Sequence, residues 1–484
     1  MKKPNLSKQI AEQDRGYRRF MRKHRHLKRK HKIIPSAVVI VPKSLRQASS
    51  GGQLYTTKPQ QMSRSQLINM YLPVNLKYML YTKNSPLYID NIKQMKSYLT
   101  SGIIPVPKYF SIFDNPDESY QMLRKLIYAL LYTNHKDVIL DYQNCDTIDL
   151  CSQILLDIIF KESHKFVTKI DNIYGRKMAN LFPEGIGGKN IDNERVQKML
   201  FSVGSPANVA GQDITFPNTK KCKLCVHSRT SSRDAETIMA YKDIATTELA
   251  DYVIDCLRSV NKELTPERLD DLCIVIGETL INAEEHSTTG YRYSVGYFEE
   301  MEENDKHFGI FRLVILNFGH TIYEKFKDKN CPNQEFVAQM KCLSEQYTKS
   351  NLFIKSEFEE ESLWTLYALQ QGVTSVSTDE YSQRGNGSIN FIKSFFNLKG
   401  DSEMDNVSRL RIASGCTRII FDGAYKIHPR IINGESFEVM TFNKENDIHY
   451  KPDKKYLYGT DYYFPGTAIS VKIMLNDDDI KQIN

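Results

Sequence analysis

No stretch of this 484-residue chain reaches the roughly 18 unbroken apolar residues that a helical membrane span needs. The first residues also lack the short apolar core of a secretory signal. Nine cysteines, an odd number, are scattered along the chain, and only Cys222 and Cys225 have a metal-like spacing, with no second pair at zinc-finger distance. Neither a disulfide framework nor a zinc module is expected, and a reducing, cytoplasmic setting is.

What is present fits a folded protein. Apolar residues make up 41 % and charged residues 25 %, and the length suits about two to four domains. The net charge of +7 hides a split: residues 1–60 hold 16 Lys and Arg against Glu12 and Asp14, a net +14, which leaves −7 for the remainder. Residues 1–33 form a basic arm, with Arg15, Arg18, Arg19, Arg22, Lys23 and Arg25 close together. Such a run suits a polyanion, either nucleic acid or anionic lipid. Tyr17 and Phe20 are too few for a base-stacking platform, and a solvated or partner-docking helix is the alternative.

The pattern divides the rest into an α/β unit over 61–215, a polar linker over 216–235 and a second unit over 236–484. In the first unit, residues 105–112 read as a strand and 117–132 as a helix with Tyr120, Leu123, Ile127 and Leu131 on one face. Residues 137–142 (DVILDY) read as a short buried strand, and 148–160 as an apolar helix. This succession resembles the STAS domain of anti-sigma-factor antagonists. In that family the start of the helix carries a phosphorylated serine; the candidates here are Thr147 and Ser152, and no phosphorylation is expected from either.

The second unit is organised around residues 272–287 (LCIVIGETLINAEEHS). Glu278, Asn282 and His286 are spaced four and four, so a helix places them in one row. Leu272, Ile274, Val275, Ile276, Leu280 and Ile281 lead to the expectation of a mostly buried helix. An amide oxygen suits a hard divalent cation, and a carboxylate one turn away can orient or deprotonate an attacking water. Thr265 and Pro266 mark the helix start, as a cap and a first-turn proline. Residues 291–299 and 308–316 read as a strand pair joined by a polar turn.

Three later segments complete the pattern. Asn317, Phe318, Gly319, His320 and Thr321 follow the second strand; Arg384, Gly385, Asn386 and Gly387 enter an amphipathic stretch; Gly466 and Thr467 precede a final strand. The order resembles the GHKL ATPases, the family of gyrase B, MutL, the ninety-kilodalton heat-shock chaperone and the sensor histidine kinases, over residues 238–475. The resemblance implies a Bergerat-type fold, with helices on one face of a mixed sheet, and binding of ATP with Mg2+. It further implies Asn282 as the metal ligand, Glu278 as general base, and contacts to nucleotide from His286, Asn317, Gly319, Arg384, Gly385, Asn386, Gly387 and Thr467. Two departures stand out: Asn317 replaces the family's adenine-binding aspartate, and Thr321 replaces a glycine.

The expected architecture is therefore α/β, a STAS-like unit followed by a GHKL-type unit with a long lid insertion. The expected function is a slow ATPase or nucleotide-dependent switch acting on a protein partner. The alternatives are an anti-sigma-type Ser/Thr kinase fused to its STAS-like regulator, a scaffold with a degenerate pocket, and a nucleic-acid effector led by the basic arm. A histidine kinase is disfavoured, since no helix pair with a phosphoacceptor histidine is legible. A second copy of the chain is open as a partner.

Overall fold

A computed structural model describes residues 62–98, 101–205, 216, 219–228, 235–258, 262–285, 287–303, 306–349, 356–373, 387–399, 407–432, 435–475 and 480–482. The basic arm, His286, Arg384, Gly385 and Asn386 lie outside them.

In the first unit, strands β1 (Ile103–Pro105), β2 (Asp137–Asp141) and β3 (Gly185–Lys189) form a parallel sheet with β2 in the centre. The crossovers are helices α1 (Pro116–Tyr132) and α2 (Leu150–Tyr174). The sequence sets both. Pro116 occupies the first turn of α1 with Asp117 and Glu118, where a fixed φ and negative charge suit a helix start. Asp149 caps α2 by accepting from the Ser152 N–H, and Gly175 ends it at φ 82°. The strand expected over 105–112 is instead two short pieces, β1 and Tyr109–Phe110, and the second pairs with Thr147–Ile148. Helix α3 (Glu194–Val203) closes the unit, capped by Asn193 and ended by Gly204 in the left-handed region.

The second unit is built on a five-stranded sheet. Its strands are β4 (Thr219–Ser228), β5 (Tyr291–Glu303), β6 (Lys306–Phe318), β7 (Arg409–Phe421) and β8 (Leu457–Leu475), in spatial order β7-β8-β6-β5-β4. Every pairing is antiparallel, so the mixed sheet expected above is corrected. β5 and β6 are a direct hairpin, and the chain enters β7 and β8 from opposite ends of the sheet. Residues 219–228, expected as linker, are its edge strand; a lysine-rich edge is a common protection against unwanted pairing. The long connection before β8 carries a hairpin of its own, His428–Ile432 with Glu435–Val439.

Helices cover one face of this sheet. Ile315, Leu313, Phe298, Ile412 and Ile469 point into a core shared with helix α4 (Ala235–Arg258), helix α5 (Pro266–Glu285), Glu360–Tyr367 and helix α6 (Gly387–Lys399). The opposite face presents Tyr293, Val295, Tyr297, Val314, Leu316, Phe318, Ala413 and Ala468. These side chains merge with the core of the first unit, which packs directly on that face. The alternation of β-strand side chains thus gives one sheet two cores. Between the units, Arg411 pairs with Asp114 at 2.8 Å and Asn75 donates to the Tyr293 hydroxyl.

Candidate functional site

Helix α5 starts as its sequence foretells: the Arg268 N–H reaches the Thr265 hydroxyl at 3.4 Å. It is amphipathic rather than mostly buried. Leu272, Ile276, Leu280 and Ala283 face the sheet, whereas Ile274 is 43 % exposed. Asn282 lies half-buried on the same helix. Position 278 falls one turn earlier in the same helix. Past the helix, the chain is stitched to the end of β6. The Thr288 N–H donates to the Phe318 carbonyl at 3.2 Å, and the His320 N–H donates to the Thr288 hydroxyl at 3.0 Å.

At that end of β6 a polar row crosses four strands. Ser414 on β7 lies opposite Thr467 on β8, Thr467 opposite Asn317 on β6, and Asn317 opposite Arg292 on β5. All four are buried, and all share the helix-covered face with Ile412, Ile469 and Ile315. At one end the row is satisfied. The Ser414 hydroxyl accepts from the Ile322 N–H at 2.9 Å and lies 3.0 Å from the Thr467 hydroxyl.

The other end is not satisfied. Among the described residues, Asn317, 1 % exposed, has no partner for either amide atom. Arg292, 4 % exposed, has Nε and Nη1 without a hydrogen bond to any described residue, and its charge is faced by the Glu284 carboxylate at 3.6 Å. The Ser294 hydroxyl, on the same face of β5, likewise has no partner among the described residues. Burial lowers the Arg292 pKa from its ordinary value, and Glu284 opposes that shift. A buried polar group without a partner costs about 1–3 kcal/mol, so three adjacent ones are an expensive feature.

The glycines around the row have assignable duties. A Cβ on Gly466 would lie 2.1 Å from the Asn317 carbonyl oxygen, at a φ of 146°. Only glycine lets β8 approach β6 there. The Gly319 N–H donates to the Pro465 carbonyl at 3.3 Å. Thr321 caps the helix Ile322–Lys327 in a reciprocal pair with Glu324. Glu324 also accepts from the Tyr463 hydroxyl at 2.7 Å.

The sheet thus brings Asn317, Gly319 and Thr467 together, with Asn282 on the helix above the same face. Gly387 is the first residue of α6, which packs against α5. Arg292, Ser294 and Ser414 escaped the sequence reading. Their one signal is polarity at alternate positions in otherwise apolar strands, and alternation does not say which face holds a site. In the first unit, Ser152 is fully buried and its hydroxyl accepts from the Ile112 N–H at 2.7 Å. Among the described residues, no helix is long and apolar enough to cross a membrane, and no three His, Cys, Asp or Glu side chains cluster as for a metal. Comparison with protein-family models, with curated proteins and with solved structures gives no match.

Proposed function

We propose that the second unit binds a purine nucleoside triphosphate with Mg2+ between helix α5 and the polar row. ATP is the nucleotide that the GHKL resemblance implies. The observation that carries this reading is the cross-strand pairing of Asn317 with Thr467 on the helix-covered face, with Asn317 buried and its side-chain amide without a partner among the described residues. Two positions chosen from separate motifs, 150 residues apart in sequence, meet at one point.

The donor set fits the metal. Mg2+ keeps most of its waters and takes one or two protein oxygens plus phosphate. A half-buried amide such as Asn282 suits that need better than a closed cage would. Its oxygen would hold the ion, which would neutralise phosphate charge. Glu278, one turn away, would take the proton of an attacking water.

A slow hydrolysis cycle or switch accounts for the first unit better than phosphoryl transfer to it does. Ser152 is fully buried and its hydroxyl is engaged by the Ile112 N–H, so of the two candidates only Thr147 is exposed. The first unit instead covers the back of the nucleotide-binding sheet, where it can respond to movement of that sheet and relay it to a protein partner.

The test is equilibrium binding of ATP and GTP to the full chain, with and without Mg2+, together with turnover. Asn282→Ala should weaken metal-loaded nucleotide far more than metal-free nucleotide. Glu278→Ala should abolish turnover with affinity nearly intact, since a base acts in the transition state. Absence of binding by both nucleotides would refute the proposal.

A further inference from the structure

We infer that Arg292 and Asn317 make the base site select a 6-oxopurine nucleotide, of the guanine type, over an adenine nucleotide. The inference rests on the nucleotide-site reading above and adds the base that the site accepts.

An amide is ambivalent. It can accept from the 6-amino group of adenine while donating to N1, or donate to a 6-oxo group while accepting from N1–H. The family's aspartate is acceptor-only when ionised, so it demands a donor on the base. With Asn317 that demand is gone, and its neighbour decides.

The neighbour is Arg292, directly opposite on β5 and facing the same side of the sheet. Side chains so paired have Cβ atoms about 4.5–5.5 Å apart, within reach of one heterocycle. A guanidinium has five N–H donors and no acceptor. Nε and Nη1 are buried and without a hydrogen bond to any described residue, and Glu284 supplies a compensating charge at 3.6 Å. A 6-oxo group offers lone pairs to this head and to the Asn317 amide together, as Arg takes the O6 and N7 of guanine in nucleic-acid recognition. An adenine 6-amino group would instead set donor against donor in a buried place. Thr467, the other cross-strand neighbour of Asn317, can donate or accept and does not oppose either base.

The experiment uses the full chain with Mg2+ and compares GTP, ITP and ATP by calorimetry or nucleotide competition. ITP keeps the 6-oxo group without the 2-amino group, so it isolates the feature at issue. GTP and ITP should bind about tenfold or more tighter than ATP, the size of one buried polar mismatch. Arg292→Met removes the donor head at similar length and should bring the three within roughly threefold of one another. Equal or tighter binding of ATP by the wild-type chain overturns the inference while leaving the nucleotide-site proposal standing. This is also the outcome if buried water, rather than a base, satisfies the pair. If no purine nucleotide binds, both fall. An unchanged preference in a folded Arg292→Met variant also overturns it, and the wild-type comparison decides even if that variant does not fold.

Discussion

Tyr120 and Tyr462 stack face to face, with ring centroids 5.5 Å apart and planes 3° from parallel. One ring belongs to helix α1 of the first unit and the other to β8 of the sheet. Beside them, the buried Arg418 guanidinium donates to the carbonyls of Gly415, Thr417 and Tyr462. An arginine held by three carbonyls fixes the backbone that presents Tyr462. The two units are thus joined through a packed core.

Truncating this contact should unfold both units together. Tyr120→Ala removes a fully buried ring and is expected to cost about 3–5 kcal/mol. Urea melts followed by circular dichroism and by fluorescence of Trp364, which is buried on the far side of the sheet, should shift together. Tyr120→Phe should be neutral or slightly stabilising, because the Tyr120 hydroxyl is buried without a partner among the described residues. Two separate transitions in Tyr120→Ala, with only the first displaced, would show that the units are independent.

Gly466→Ala tests how closely β8 must approach β6. The added Cβ would meet backbone, the Asn317 carbonyl oxygen at 2.1 Å and Phe318 Cα at 2.9 Å, so no side-chain rotation relieves it. The expected cost is about 1–3 kcal/mol, with purine nucleotide binding lost because Thr467 moves away from Asn317. Gly372→Ala is the control: its φ is 80° but a Cβ there meets nothing within 4 Å, so it carries backbone strain alone. Equal effects of the two on nucleotide affinity would mean that the close approach at Gly466 does not shape the site.

Much of this arrangement was legible in the chain, for definable reasons. The start of α5, the hairpin β5–β6 and the Gly466–Thr467 pair carry local signals: a cap, a first-turn proline, alternation and a glycine at a crossing. The strand over 219–228 carried none, since an edge strand rich in lysine reads as a linker. Strand β7 begins at Arg409, which places Ser414 inside the sheet and in the polar row. The partners within that row depend on register between strands up to 150 residues apart, which no local pattern encodes. The docking of the first unit on the sheet is likewise tertiary: Tyr293, Val295 and Tyr297 announce a buried face without saying what buries it.

The final prediction concerns pH and lies away from the row, in helix α2. Burial raises the Asp157 carboxyl from an ordinary value of 3.8 to about 7, against hydrogen bonds from Ser205 and Gln153 that favour its ionised form. The Ser205 hydroxyl donates to Oδ1 at 2.7 Å and the Gln153 amide at 2.9 Å, while Oδ2 is buried without a partner among the described residues. A group whose pKa is higher in the folded state holds its proton there while the unfolded chain has released it. Between about pH 4 and pH 7 the folded state therefore binds more protons, and stability falls as pH rises through that window. Above about pH 7 the charge is paid for in both states and the penalty stays constant. Asp157→Asn keeps an acceptor for Ser205 and Gln153 and removes the charge. Its added N–H₂ can donate to Gln153 Oε1 or the Tyr142 hydroxyl, both buried and unpartnered. The variant should be more stable than wild type at pH 8, by about 1–3 kcal/mol, and equal to it near pH 4. Urea melts at pH 4, 6 and 8 measure the difference. A stability gap that is constant across the three, or that favours wild type at pH 8, would show that Asp157 is ionised and well solvated in the folded chain.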